Sequence, residues 1–180
     1  WQSLCNKRYR LSLRLFLLLN AISALFSMLV PLYNLHAVTL PVGAIFTLSA
    51  VLPAWHKFYP RSKINITLIS LLFGCLWAWH VVLKAKLIGD DASAYLLIAL
   101  LSVLFIGTIA FSNNIIAFLL HSLPLFVTSL WLNESESCMR LIYSFSLPVI
   151  GIAIQHAIQK RNDSFARALM QRLMQERKTL

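Results

Sequence analysis

Acidic residues are scarce in this chain: six Asp and Glu among 180 residues, against sixteen Lys and Arg. None of the six lies in the long apolar runs that fill most of the sequence. An intramembrane carboxylate catalyst, proton relay or cation site therefore has no carrier there. Charge of either sign is thin at 12%, beside 59% hydrophobic residues and a mean hydropathy of +0.74, which excludes an ordinary soluble domain. The three cysteines, Cys5, Cys75 and Cys138, fall in an N-terminal arm, an apolar run and a connecting loop, with no Cys-x-x-Cys spacing and no pair placed for an intrachain disulfide. HExxH, GxSxG, P-loop and Ser–His–Asp patterns are missing, so the stretch reads as no enzyme, with no catalytic residue and no metal site. The connecting loops are short, which leaves nothing outside the membrane to fold as a separate binding domain.

Six apolar segments are present instead, at residues 13–32, 37–55, 64–83, 94–111, 115–131 and 141–158, each of 17 to 20 residues. At ~1.5 Å per residue each can cross a hydrocarbon core of about 30 Å. The predicted fold is all-α: a polytopic membrane protein with six transmembrane helices (residues 1–158) and a cytoplasmic C-terminal helix (residues 159–180). An even number of spans puts both termini on one side, and the basic residues name that side. Lys7, Arg8, Arg10 and Arg14 precede or open the first span, and Lys57, Arg61 and Lys63 lie between the second and third. Lys160, Arg161, Arg167, Arg172, Arg177 and Lys178 follow the sixth. These thirteen of the sixteen basic residues predict cytoplasmic termini, because basic residues near a span resist translocation. The opposite side keeps Lys84, Lys86 and Arg140 beside Asp90, Asp91, Glu134 and Glu136. The net charge of +10 thus lines a membrane edge and matches anionic lipid, with no nucleic acid implied. No cleavable signal peptide is expected, since the first apolar run is span-length and Pro31 stands where a small-residue cleavage site belongs. Trp1 in place of Met implies a fragment or a lost initiator.

Pro31, Pro41, Pro53, Pro124 and Pro148 punctuate the spans, each removing a backbone donor. Pro124 and Pro148 lie near the middles of the fifth and sixth spans, where kinks would open space between them. Trp55 and Trp131 stand at span ends as interfacial anchors. Gly74 and Ala78 form a small-xxx-small pair for close helix approach. In the tail, Asn162, Asp163 and Ser164 are candidate caps, Phe165 to Leu180 contains no Gly or Pro, and the last span is expected to run on into a helical stalk. Ala166, Leu173 and Leu180 recur at intervals of seven with Leu169 on the same seam. Two arrangements fit: a coiled-coil homodimer, weakened by Glu176, or an amphipathic helix lying on anionic lipid.

Polar groups inside a bilayer are costly, so each is a site candidate. His80 and Trp77 share a face of the third span, and Thr128, Tyr143 and Ser146 lie at matching depth on the fifth and sixth. Together they could line an outer-half cavity that stacks on a small apolar or amphipathic ligand and hydrogen-bonds its head; the alternative is interhelical hydrogen bonding and aromatic filling. No cofactor is implied. Haem would need two facing histidines at one depth, and neither His36 with His80 nor His121 with His156 meets that condition by spacing.

The layout of a basic start, six spans with short loops and a charged terminal helix resembles the N-terminal membrane sensor modules of bacterial signalling proteins. These are the MASE-type sensors ahead of diguanylate cyclases and the six-span receptor half of quorum-sensing histidine kinases. Local echoes are Trp55 followed by Pro60, and the run Leu147-Pro148-Val149-Ile150 leading into Gln159-Lys160-Arg161. The resemblance implies a dimeric sensory input domain in a bacterial inner membrane, passing a signal to a cytoplasmic cyclase or kinase domain beyond Leu180. Its rivals are a small transporter or channel, expected to show paired intramembrane charges or inverted repeats, and an intramembrane haem protein.

Overall fold

The computed structural model describes residues 2–29, 38–61, 63–89, 92–112, 114–133 and 138–180. Among these the chain is all-helical: α1 (Gln2–Leu29), α2 (Leu40–Phe58), α3 (Ile66–Ile88), α4 (Ser93–Ala110), α5 (Ile115–Leu132) and α6 (Cys138–Thr179). The starts follow cap chemistry. Thr39 Oγ1 accepts the Val42 N–H, Asn65 Oδ1 accepts those of Thr67 and Leu68, and Asn114 Oδ1 accepts that of Ala117. Gly89, at φ +83°, ends α3 in a backbone conformation that side chains disfavour.

Five of the six helices, all but α2, are long and apolar enough to cross a membrane. By length and composition this supports five of the six expected transmembrane helices. The 19 residues of α2 include Pro41, Gly43, Thr47, Ser49 and Pro53 and close on His56 and Lys57, which dilutes its apolar content. Large apolar side chains are exposed around the bundle, with Leu68, Phe105 and Trp131 each more than half exposed. Such a surface suits lipid and would be a liability in water.

Lipid tails are as apolar as Leu, so helices associate in a bilayer through close packing and hydrogen bonds. The most extensive pairing is α3 with α5, and Gly74 explains why. A Cβ at Gly74 would lie 2.6 Å from the His121 carbonyl oxygen and 2.8 Å from that of Leu120. Pro124 has no N–H, so the Leu120 carbonyl lacks its usual helical partner. The small residue on α3 thus seats against the turn that the proline on α5 leaves unbonded. Gly107 on α4 admits the Phe118 ring of α5 in a similar way. At the centre, Phe16 of α1 packs on Phe73 and Phe111 at ring-centroid distances of 5.1 and 4.9 Å.

α6 runs unbroken through the candidate caps at 162–164, in keeping with a last span that continues into a helical stalk. It is one helix of 42 residues, about 63 Å long at ~1.5 Å per residue, roughly twice the thickness of a hydrocarbon core. Asp163 does not cap a new helix because its carboxylate is engaged elsewhere. It accepts Arg8 Nη1 on both oxygens at 3.0 and 3.1 Å and Gln159 Nε2 at 2.9 Å. The Arg8 contact holds the start of α1 against α6 just beyond its apolar stretch. Past it, almost every residue of α6 is exposed.

Candidate functional site

α3 carries three polar or amphipathic side chains on one face at Trp77, His80 and Lys84, the three- and four-residue spacing that stacks side chains along a helix. All three are buried. Trp77 Nε1 donates to Asn20 Oδ1 at 2.7 Å, and Asn20 Nδ2 donates to the Phe16 carbonyl at 2.8 Å. Asn20, fully enclosed on α1, is satisfied at both ends and locks the indole in place. The His80 ring meets the Trp77 ring edge-on at 5.9 Å. Its Nδ1 lies 2.6 Å from Thr39 Oγ1, while its buried Nε2 has no partner among the described residues.

Lys84 was expected in the loop after the third span. The structure instead continues α3 to Ile88 and leaves Lys84 only 1% exposed. Its Nζ sits 5.3 Å from the centroid of the Tyr95 ring on α4, a cation–π contact. Of the six acids, only Asp163 and Glu176 fall among the described residues, both on the tail of α6. Among the described residues Lys84 therefore has no carboxylate partner.

These side chains border a cavity of about 310 Å³ between α1, α3 and α4, within the range of small-molecule sites, about 300–1,000 Å³. Ser23, Phe26 and Ser27 form its α1 wall; Tyr95, Ile98, Ser102 and Ile106 lie on α4, and Leu125 of α5 closes the floor. Phe26, Ile98 and Ser102 are exposed, so the cavity opens sideways between α1 and α4.

Of the five residues assigned to a pocket from the sequence, Trp77 and His80 line this cavity and Thr128, Tyr143 and Ser146 do not. Thr128 Oγ1 donates to the Pro124 carbonyl at 2.7 Å and Ser146 Oγ to that of Ile142 at 2.6 Å, so each hydroxyl is satisfied within its own helix. Tyr143 is 68% exposed. The opening expected between α5 and α6 is filled by Phe126 and Phe145, stacked at 4.0 Å with planes 11° apart. Sequence reading missed Asn20, Lys84, Tyr95 and Ser102. The available signals were an amide inside the first span and the four-residue step from His80 to Lys84.

His121 is fully buried with both ring nitrogens unpartnered among the described residues, and the rings of Phe16 and Phe111 pack against it at 5.0 and 6.2 Å. His36 lies outside the described residues, and no cluster of metal-binding side chains occurs among those described. Along the tail, Leu169, Leu173 and Leu180 are exposed and Ala166 is half-buried. Comparison with protein-family models, curated proteins and solved structures finds no match to this chain.

Proposed function

We propose that the chain is a membrane-embedded sensory input domain. It takes up a small apolar or amphipathic molecule in the cavity between α1, α3 and α4 and passes the change through α6 to a cytoplasmic signalling domain. The observation that carries this reading is the continuity of α6. One helix runs from the bundle into an exposed segment about 30 Å longer than a bilayer core requires. Helix α4 lines the cavity and also packs on α6, so a ligand that favours one placement of α4 biases α6 directly. A ligand acts only through differential affinity for the two placements.

In this reading α2 is the sixth crossing. Thr39, at its start, touches His80 near the cavity, while Pro53, His56 and Lys57 near its end share a groove with Arg10 and Arg14 of α1. It therefore runs antiparallel to α1 across the same layer. Both termini are cytoplasmic, in line with the Arg8–Asp163 contact and the basic residues around it. Two copies pair through Ala166, Leu169, Leu173 and Leu180, and the membrane is a bacterial inner membrane.

The test fuses a reporter kinase or cyclase domain after Leu180 and measures its output against an extract of the host's amphipathic metabolites. Trp77→Ala and His80→Ala, checked for folded yield, should blunt the response. A normal dose response in both folded variants removes this cavity from the signalling path.

A further inference from the structure

Lys84 is the least explained group in the bundle. It is a long cation in the outer half of a helix read as membrane-spanning, 1% exposed, with an aromatic face as its charge-stabilising neighbour. Placing an ammonium group among apolar side chains is costly unless an anion or several hydrogen-bond acceptors meet it. A cation–π contact to one aromatic face recovers only part of what burying an ion costs. One turn earlier, His80 turns Nδ1 to Thr39 and leaves Nε2 unpartnered among the described residues. With the Thr39 hydroxyl assigned as donor to Nδ1, the proton of the neutral imidazole is on Nε2, where it is a second donor. Both groups line the same cavity, and the rest of its wall is mostly apolar: Phe26, Val81, Ile98, Val103, Ile106 and Leu125.

We infer that this cavity binds an amphipathic anion, a medium-length acyl chain ending in a carboxylate, with the head held by Lys84 Nζ and His80 Nε2. This rests on the sensory reading of the same cavity and adds the charge and size of the ligand. The cavity of about 310 Å³ falls within the range of small-molecule sites, about 300–1,000 Å³, which suits a ligand of medium chain length. The sideways opening at Phe26, Ile98 and Ser102 lets such a molecule enter from the bilayer between α1 and α4. An anionic lipid headgroup offers the same head chemistry, and the experiment separates the two sources.

The 180-residue chain is reconstituted in phosphatidylcholine nanodiscs and titrated with decanoate and with decanol, which share a chain length and differ in charge. Decanoate should bind at least tenfold more tightly and raise the unfolding temperature. Lys84→Met should erase that difference while leaving decanol binding unchanged, and Lys84→Arg should restore part of it. Without ligand, Lys84→Met should be at least as stable as the parent, because it removes a buried charge with no carboxylate partner among the described residues; clear destabilisation would mean that Lys84 already has a protein carboxylate and would overturn the inference. Equal affinity for decanoate and decanol, or a preference that survives Lys84→Met, overturns the anionic head and leaves an apolar ligand in place. Stabilisation by phosphatidylglycerol that displaces decanoate and depends on Lys84 supports the anion site and makes the bilayer its source. Binding of neither anion overturns it. Lys84-dependent binding with no change in the fused reporter supports the site and refutes the sensory reading alone.

Discussion

Replacing Gly74 by Ala tests whether the α3–α5 contact holds the bundle together. The added methyl would sit 2.6 and 2.8 Å from two backbone carbonyl oxygens and 3.1 Å from the His121 carbonyl carbon. Backbone cannot rotate away as a side-chain tip can, so the two helices must separate by several tenths of an ångström. In closely packed interiors such overpacking costs about 1–3 kcal/mol. Ala is also the better helix former by about 1 kcal/mol, which opposes the clash. Separation would further weaken contacts along the whole seam, since dispersion falls steeply with distance. The expected net effect is a destabilisation of about 1–2 kcal/mol, read as a lowered unfolding temperature in detergent or nanodiscs. Gly43→Ala and Gly151→Ala are the controls, because a Cβ at either meets nothing within 4 Å. Both should be neutral or slightly stabilising. If Gly74→Ala matches them, α3 and α5 do not approach as described, and Pro124 has no small residue seated against it.

Trp77→Phe should destabilise by about 1–3 kcal/mol, because it removes the donor to the enclosed Asn20 Oδ1 and leaves that oxygen unpaired; Asn20→Leu added to it should recover part of the loss. Asp163 lies beyond the apolar part of α6. Burial alone would raise its carboxyl, but the hydrogen bonds from Arg8 and Gln159 and the charges of Arg8 and Arg167 outweigh that and hold it below the ordinary carboxylate range. Its contribution is therefore present at neutral pH and lost as pH falls through the lowered folded value. Asp163→Asn should flatten that acid limb of the unfolding-temperature profile, and an unchanged limb would refute the pairing. Replacing Leu169 and Leu173 together with Asp should abolish chemical crosslinking of two copies, whereas unchanged crosslinking would favour a tail lying on lipid. In a background with the three native cysteines replaced, Cys at Ser135 should label from outside the inner membrane and Cys at Lys178 only after permeabilisation. The reverse pattern would invert the topology.

What the sequence determined by itself was the class of the molecule. Long apolar runs free of acids read as helices in a low-dielectric layer, because a helix satisfies its own backbone hydrogen bonds there. The boundaries of α4 and α5 followed from that composition, and Gly74 was legible as a contact point. The second segment falls short of the other five in apolar content, which length alone does not show, because of Pro41, Thr47, Ser49 and the His56-Lys57 end. The continuity of the tail with the last span was legible in its lack of Gly and Pro, but the candidate caps were not decided there. A capping side chain acts only when free to fold back, and the Asp163 carboxylate is taken by Arg8, 155 residues away in the chain. The site divided along the same line. That Trp77 and His80 share a face of α3 was legible from their spacing, but which helices oppose that face depends on bundle order, which periodicity does not encode. Tertiary structure set α1 and α4 there, enclosed Lys84 by extending α3 past the expected loop, and closed the α5–α6 gap with two stacked phenylalanines. Depth along a span is local information, since every residue adds the same rise. The neighbour across it is not, since it is fixed only when the helices choose their partners.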